Sequence, residues 1–441
     1  MSDASTPGAP RAKTSLHKAD ARTKKRNASE ARFRAYGVVA ITVGLIFLMV
    51  LFTSIIRSGL PAFSRTVIDV PFTLSEADHA AAEGELFKTK VYQGLFIAAI
   101  QKELDDKGLD AEADPEALGR LLGKLGGDIR AFYKGAPEMI GKPHRFELVA
   151  SSRVDAYLNG HLTRETLVDS RFMQASDLDL VDALIDAGII HGGFDWTFIF
   201  GADAGVDNPG GAGIGVSVVG SFFMMLVVLL LSLPIGVATA IYLEEFAPKN
   251  RLTDLIEVNI SNLAAVPSIV YGILGLAIFI QFAHFPQSAP VVGGLVLTLM
   301  TLPRIIIPAR AALGAVPPSI REAALGVGAS RMQSVFHHVL PLAMPGILTG
   351  LIIGLGQALG ETAPLLLIGM VGFVAREYPD TLMEGFLEAN SAMPAQIYTW
   401  ATRADSAFYD KAWGGIIILL IFLLGMNILA VILRRKFERR W

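Results

Sequence analysis

A run of 20 residues without a charge, Gly37 to Ile56, restricts this chain more than any other feature. At about 1.5 Å per helical residue it covers the ~30 Å hydrocarbon core of a bilayer. The run is longer than the apolar core of a signal peptide and has no clear small-residue cleavage site, so it reads as a retained first membrane helix. Five further apolar stretches follow, at roughly 214–243, 258–282, 289–311, 342–368 and 412–433. Backbone groups in lipid need partners within their own segment, which makes helices the natural spanning element. The expected fold is therefore an all-α polytopic membrane protein with six transmembrane helices. A composition of 52% hydrophobic and 18% charged residues agrees.

Lysines and arginines near the span ends set the orientation. The basic N-terminus, Lys249 and Arg251, Arg310, Arg321 and Arg331, and the final Arg434-Arg435-Lys436 fall on one side if there are six spans. This predicts both termini in the cytoplasm, with 1–35 a disordered basic tail and 36–56 the first span. Residues 57–212 become an external insert, 213–433 the membrane core with a cytoplasmic loop at 315–341, and 434–441 a second basic tail. A net charge of −3 gives no sign of nucleic-acid binding. With no cysteine, neither disulfides nor thiolate metal sites are available. No Gly-x4-Gly-Lys-Ser/Thr phosphate loop occurs, so the chain supplies no ATPase of its own by that route.

The insert is acidic, with about 25 Asp and Glu against about 15 Lys and Arg, and has the length of one small, mostly helical domain. Helices are expected from Ser75 with Asp78, at Pro115 to Leu125, and at Ser176 to Gly188 with Asp179; Phe146 to Ala150 suits a short strand. His144, His161 and His191 are scattered, so no metal site is expected, and the sequence assigns the insert no role.

Pro317 to Pro341, PPSIREAALGVGASRMQSVFHHVLP, spells two short helices. Ser319 with Glu322 suits a capping box, and Ser330 with Gln333 repeats it. Ile320, Ala323, Ala324 and Val327 make a small apolar face, and Gly326 and Gly328 end the first helix. In the second, Met332, Val335, Phe336, Val339 and Leu340 form a stripe. Glu322-Ala323-Ala324, Gly328 and the closing Leu340-Pro341 resemble the EAA loop of ABC importer permeases. The resemblance implies that a coupling helix here docks into an ATPase subunit, with Ser319, Glu322, Ala323, Ala324 and Gly328 at the contact. On the residues alone, an amphipathic hairpin lying on the membrane surface is the plainer reading.

Gln357-Ala358-Leu359-Gly360-Glu361-Thr362-Ala363-Pro364-Leu365-Leu366 places Glu361 in an otherwise uncharged stretch. A carboxylate at membrane depth faces a cavity or a partner. Pro364 removes a helix donor and Thr362 can satisfy a freed carbonyl, as in a broken helix lining a pathway. The run is similar to PstA-type permeases of phosphate ABC importers; sulfate and molybdate permeases tend to follow Gly-Glu with Phe. The likeness covers the first span and about 194–441. Many phosphate permeases carry Arg where this chain has Gln357. Arg304, in the fourth span, has three readings: a pathway cation, a structural partner of Glu361, or a cytoplasmic-surface charge. Helical rise puts Arg304 near the inner side and Glu361 nearer the outer side, against direct contact.

Gly210 to Gly215 resembles the glycine-rich approach to the permease core, or is a loop of turn glycines, and Met393 to Trp400 suits an outer gate or an interfacial aromatic run. The resemblance implies a transporter subunit of the bacterial inner membrane, not an enzyme, and with no cofactor of its own. ATP and Mg would sit on two ATP-binding partner subunits, beside a homologous second permease and a periplasmic phosphate-binding protein. Substrate-pathway candidates are Arg304, Gln357, Glu361 and Thr362. A permease for another oxyanion (sulfate, molybdate, phosphonate) and a membrane-anchored sensor with an external ligand-binding domain are the alternatives.

Overall fold

A computed structural model describes residues 21–84, 88–108, 121, 125–158, 160, 163–169, 174–206, 209–370, 378–405 and 407–437. Helix α1 (Ala21–Gly59) begins inside the stretch expected as an unstructured tail. Between Ala21 and Tyr36 there is no Gly or Pro, and Ala, Arg, Lys and Glu favour helix, so 21–35 continue the span's helix outward. Residues 1–20 of that tail lie outside the described residues. By compactness the chain divides into residues up to Ile55 and residues from Ile56 onward.

The insert holds a sheet as well as helices. Strands β1 (Ser64–Phe72), β2 (His144–Val149) and β3 (Ile190–Phe194) pair antiparallel in the order β2-β1-β3. Of these, only the neighbourhood of β2 was legible in advance. Strand β1 carries Pro71, tolerable because β3 pairs only with residues 64–68 and leaves Pro71 at a free edge. Among the described residues the insert also has helices α2 (Glu76–Gly84), α3 (Lys88–Asp106), α4 (Leu125–Gly135), α5 (Ser152–Leu158), α6 (Arg164–Asp169) and α7 (Ala175–Asp186). Phe72, Tyr92, Phe96, Ile100 and Val181 are among the residues of a separate core. Ser75 caps α2 as expected, accepting from the Asp78 amide at 3.0 Å. For α7 the capping box is Gln174 with Asp177, not Ser176 with Asp179; Asp179 instead pairs with Arg164. The helix expected at Pro115 to Leu125 lies, apart from Leu121 and Leu125, outside the described residues.

After β3 come α8 (Trp196–Phe200), α9 (Gly215–Ile241), α10 (Arg251–Ala264), α11 (Ser268–Gly275) and α12 (Pro290–Gly314). The chain continues through α13 (Pro318–Gly326), α14 (Arg331–Ser334), α15 (Leu340–Gly360) and α16 (Ala363–Leu367). It ends with α17 (Leu382–Leu387), α18 (Met393–Ala401) and α19 (Ala407–Phe437). Among the described residues, five helices are long and apolar enough to cross a membrane. The expected span 258–282 is instead two helices, Arg251–Ala264 and Ser268–Phe282, bent by 100°. Pro267 causes the break: it has no N–H to donate and turns Val266 away from helical geometry.

Packing shows that this bent pair crosses once. Gly294, near the start of α12, lies against Val227, Gly236 lies against Ile305, and Arg310 reaches Glu244 beyond the end of α9. So α9 and α12 run parallel, and the chain between them must return across the bilayer. With the bent pair taken as one span, the described residues hold six apolar segments able to cross. A Cβ at Gly294 would come within 2.5 Å of Val227, so only glycine permits this approach.

Candidate functional site

The loop between α12 and α15 is a hairpin of two capped helices, but its first cap differs from the expectation. Pro317 is the N-cap of α13, with Pro318 at the first helical position, and no side chain caps the helix. Proline preset for helix at the first turn starts α13 before Ser319, which is therefore inside it and exposed. Glu322 is exposed too, and with Ser319 already inside the helix the Ser319–Glu322 box does not form. The helix ends as expected. Gly328 has φ +89, its amide donates to the Leu325 carbonyl, and the Ala329 amide donates to that of Ala324, both at 3.0 Å. This is the Schellman arrangement, with Gly328 in the left-handed position. Ser330 and Gln333 cap α14 reciprocally, at 3.2 and 2.8 Å.

The expected apolar face of α13 is divided. Ala324 is buried and Ile320 half-buried, whereas Ala323 and Val327 face outward. In the second helix Val335 and Val339 are buried, while Met332 and Phe336 are exposed. Leu325, Val327, Met332 and Phe336 thus form an outward apolar rim; Val327 is 86% exposed.

What holds this hairpin was not legible. Arg321 donates to both carboxylate oxygens of Glu245, the shortest contact being 2.6 Å, and to the carbonyls of Val316 (2.7 Å) and Leu313 (2.9 Å). Glu245 is 7% exposed, in a π-turn (Tyr242–Phe246) that ends α9. Beside it, Arg310 lies 3.4 Å from Glu244 and 2.8 Å from Glu257 of α10. One charged knot therefore ties the hairpin to three membrane helices. The available signal was Glu244-Glu245, an acidic pair just beyond an uncharged span, but 76 residues separate Glu245 from Arg321.

At the second candidate, α15 stops at Gly360 and Glu361 is extended (φ −80, ψ 119) before α16 begins. The broken helix is present. Arg304 Nη1 lies 3.8 Å from Glu361 Oε1, with both side chains 24% exposed. The depth argument against contact therefore fails: Gly354 packs against Ile305, so Glu361 lies only about 10 Å beyond the level of Arg304, a gap that two long side chains span. The pair is too long for a hydrogen bond, and Arg304 Nη1 is buried with no hydrogen-bond partner. Gln357 is exposed one turn before the break, and Thr362 is half-buried just after it.

On the insert side, two buried ion pairs tie the root of the insert to the last helices. Lys411 of α19 lies 2.6 Å from Asp195, the N-cap of α8. Arg403 lies 2.6 Å from Asp203, which also accepts from the indole N–H of Trp400 at 2.8 Å. Trp400 is wholly buried, so the 393–400 run is interior helix there, although Tyr398 is exposed. Gly213 and Gly215 are close-packed rather than loose: a Cβ would meet the Thr197 carbonyl at 2.3 Å or the Ile199 carbonyl at 2.8 Å. Among the described residues no cluster of His, Cys, Asp or Glu is placed to hold a metal ion.

Residues 232–441 match the family described as binding-protein-dependent transport system inner membrane component, and residues 20–167 match a domain of unknown function, DUF3333. A probable ABC transporter permease protein, YqgI of Bacillus subtilis, is 31% identical over 252 residues, 55% of this chain and 84% of that one. The phosphate transport system permease protein PstA of Mycobacterium leprae is 31% identical over 230 residues, 52% of this chain and 72% of that one. PstA 1 of Mycobacterium tuberculosis is 32% identical over 211 residues, 48% of this chain and 66% of that one. Among solved structures, the MetNI methionine ABC transporter, inward facing, aligns with 52% of this chain and 95% of its own at 17% identity and a TM-score of 0.37, too low to argue from. The spans, the family match and the relatives converge: this chain belongs to the binding-protein-dependent transport system inner membrane components, the multi-pass permeases of ABC transporters.

Proposed function

We propose that this chain is the permease subunit of an ATP-driven phosphate importer in a bacterial inner membrane. It would pair with a homologous second permease, stand on two ATP-binding subunits that hold ATP and Mg, and receive phosphate from a periplasmic binding protein. Relatives named as phosphate transport permeases support the substrate. The observation that carries the coupling role is the hairpin itself. Its apolar rim faces outward while Arg321 and Glu245 fix its inner side to the end of α9. An ATPase subunit gripping Ala323, Val327 and Gly328 would move α13, and the ion pair would pass that movement to α9 and α12. Ser319 and Glu322 lie on the exposed part of the same hairpin.

For the pathway, phosphate needs a cation or helix-end donors to replace its water. Arg304 is the candidate, since its Nη1 has no hydrogen-bond partner and Glu361 neutralises it without satisfying it. Glu361 would hold the arginine in place until an anion arrives, with Gln357 and Thr362 on either side of the break.

The test is ATPase stimulation in the assembled, lipid-embedded complex. Phosphate presented by its binding protein should raise hydrolysis, and sulfate, molybdate and phosphonate should not. Stimulation by one of those anions instead would move the substrate and leave the coupling reading intact. Failure to co-purify an ATPase would overturn both.

A further inference from the structure

We infer that the insert is seated in lipid at its root, with Phe194, Trp196 and Phe200 dipping into the interfacial zone of the leaflet from which it projects. Helix α8 has two unlike sides. Phe198 faces inward and is fully buried, whereas Trp196 and Phe200, on the opposite side, are 60% and 59% exposed. These two rings stack with centroids 5.9 Å apart, and Phe194 meets Trp196 at 4.7 Å. An exposed, continuous aromatic patch needs an occupant.

Two independent rulers place it at the membrane boundary. Helix α19 has no charge between Lys411 and Arg434, a stretch that covers the ~30 Å core, so Lys411 and Gly414 mark its edge. Helix α8 sits on that mark: Asp195 binds Lys411, and a Cβ at Gly414 would come within 2.8 Å of the Phe198 ring. Helix α9 gives the second ruler, since its first residue, Gly215, packs against the Ile199 carbonyl. Trp and Tyr are enriched at this depth, where an amphipathic ring meets both acyl chain and water.

Size argues against a protein occupant. Three half-exposed aromatic side chains offer on the order of 300 Å², from about 150–250 Å² for each whole side chain. A stable protein partner buries about 800 Å² per side. Lipid needs no such minimum. Together with the Asp195–Lys411 and Asp203–Arg403 pairs, the seat fixes the insert's base against the bilayer. It would not hang on a flexible tether.

The chain has no cysteine, which makes a clean test possible. Trp196→Cys and Phe200→Cys would each carry a nitroxide in the full chain reconstituted in phospholipid nanodiscs. Lys142→Cys, at an exposed site elsewhere on the insert, is the reference. Collision with oxygen, which concentrates in lipid, is compared with collision with a water-soluble nickel chelate. The oxygen-to-nickel ratio should be several-fold higher at both root positions than at 142. A ratio equal to that at 142 would put the rings in water. Low collision with both probes would put them under protein, and either result overturns the proposal.

Discussion

Arg304 is an ionised group in a helix that is otherwise uncharged from Pro290 to Ile307, and such a group costs a few kcal/mol at mid-membrane unless something compensates it. Glu361 compensates its charge but not its hydrogen-bonding capacity. Arg304→Gln should therefore lower uptake by about tenfold or more, worth ~1.4 kcal/mol, while the complex still assembles. Loss of assembly, restored by adding Glu361→Gln, would show the pair to be structural only. Outside the membrane, Glu83 offers a cleaner electrostatic test. Hydrogen bonds from Arg130 and then Lys88 outweigh burial and hold its carboxyl at about 2, below its ordinary 4.5. A lowered folded-state value favours the folded insert above pH ~4.5, and the gain is lost as pH falls toward 2. Amide protection factors in α2 and α4 of the full chain, each taken relative to the intrinsic exchange rate at that pH, should fall over that window. Arg130→Met should flatten the response; an unchanged slope would show that Glu83 is not its source.

At the scale of elements, α13 shows why some of the hairpin was readable. A left-handed C′ glycine and a Ser-x-x-Gln box are local patterns, so Gly328 and Ser330–Gln333 follow from the sequence. The cap at Ser319 was misread because Ser-x-x-Glu fits a box only if nothing starts the helix earlier, and Pro317-Pro318 does. Arg321–Glu245 and the β1–β3 pairing were out of reach, since each depends on residues far apart in the chain. These elements respond differently to substitution. A Cβ at Gly328 meets nothing within 4 Å, so the burden of a side chain is its left-handed backbone, about 1–2 kcal/mol. Gly328→Val should abolish uptake and ATPase stimulation although the subunit reaches the membrane. Gly328→Asn, which tolerates that conformation, should retain part of both. Ser319→Ala should be near neutral, having no cap to remove. Equal losses in all three would sink the coupling reading. Arg321→Gln should lower phosphate moved per ATP hydrolysed more than it lowers hydrolysis, whereas a helix merely destabilised would lose both together.

For the whole molecule, the number of crossings decides which surface meets which partner, and it rests on the bent pair α10–α11. Were that pair a re-entrant loop, five crossings would remain, and the α13 hairpin would share a side with the insert. Packing excludes this arrangement. Glu244 and Glu245 lie just beyond the end of α9, opposite its insert end, and they bind Arg310 and Arg321 at the end of α12 and on α13. The hairpin and the insert must therefore lie on opposite faces. We propose from the basic flanks that the face carrying the hairpin is the cytoplasmic one, as the positive-inside bias expects. In a chain without cysteine, Lys142→Cys and Val327→Cys can be labelled one at a time in cells whose outer membrane has been permeabilised. A membrane-impermeant maleimide should label position 142 at once, and position 327 only after the inner membrane is opened. Val327 is the demanding site: in cells lacking the ATPase subunit proposed to grip it, its 86% exposure means that lack of labelling reports the barrier and not burial. Immediate labelling at both positions would put hairpin and insert on one face, and the parallel α9–α12 packing would then have to be wrong.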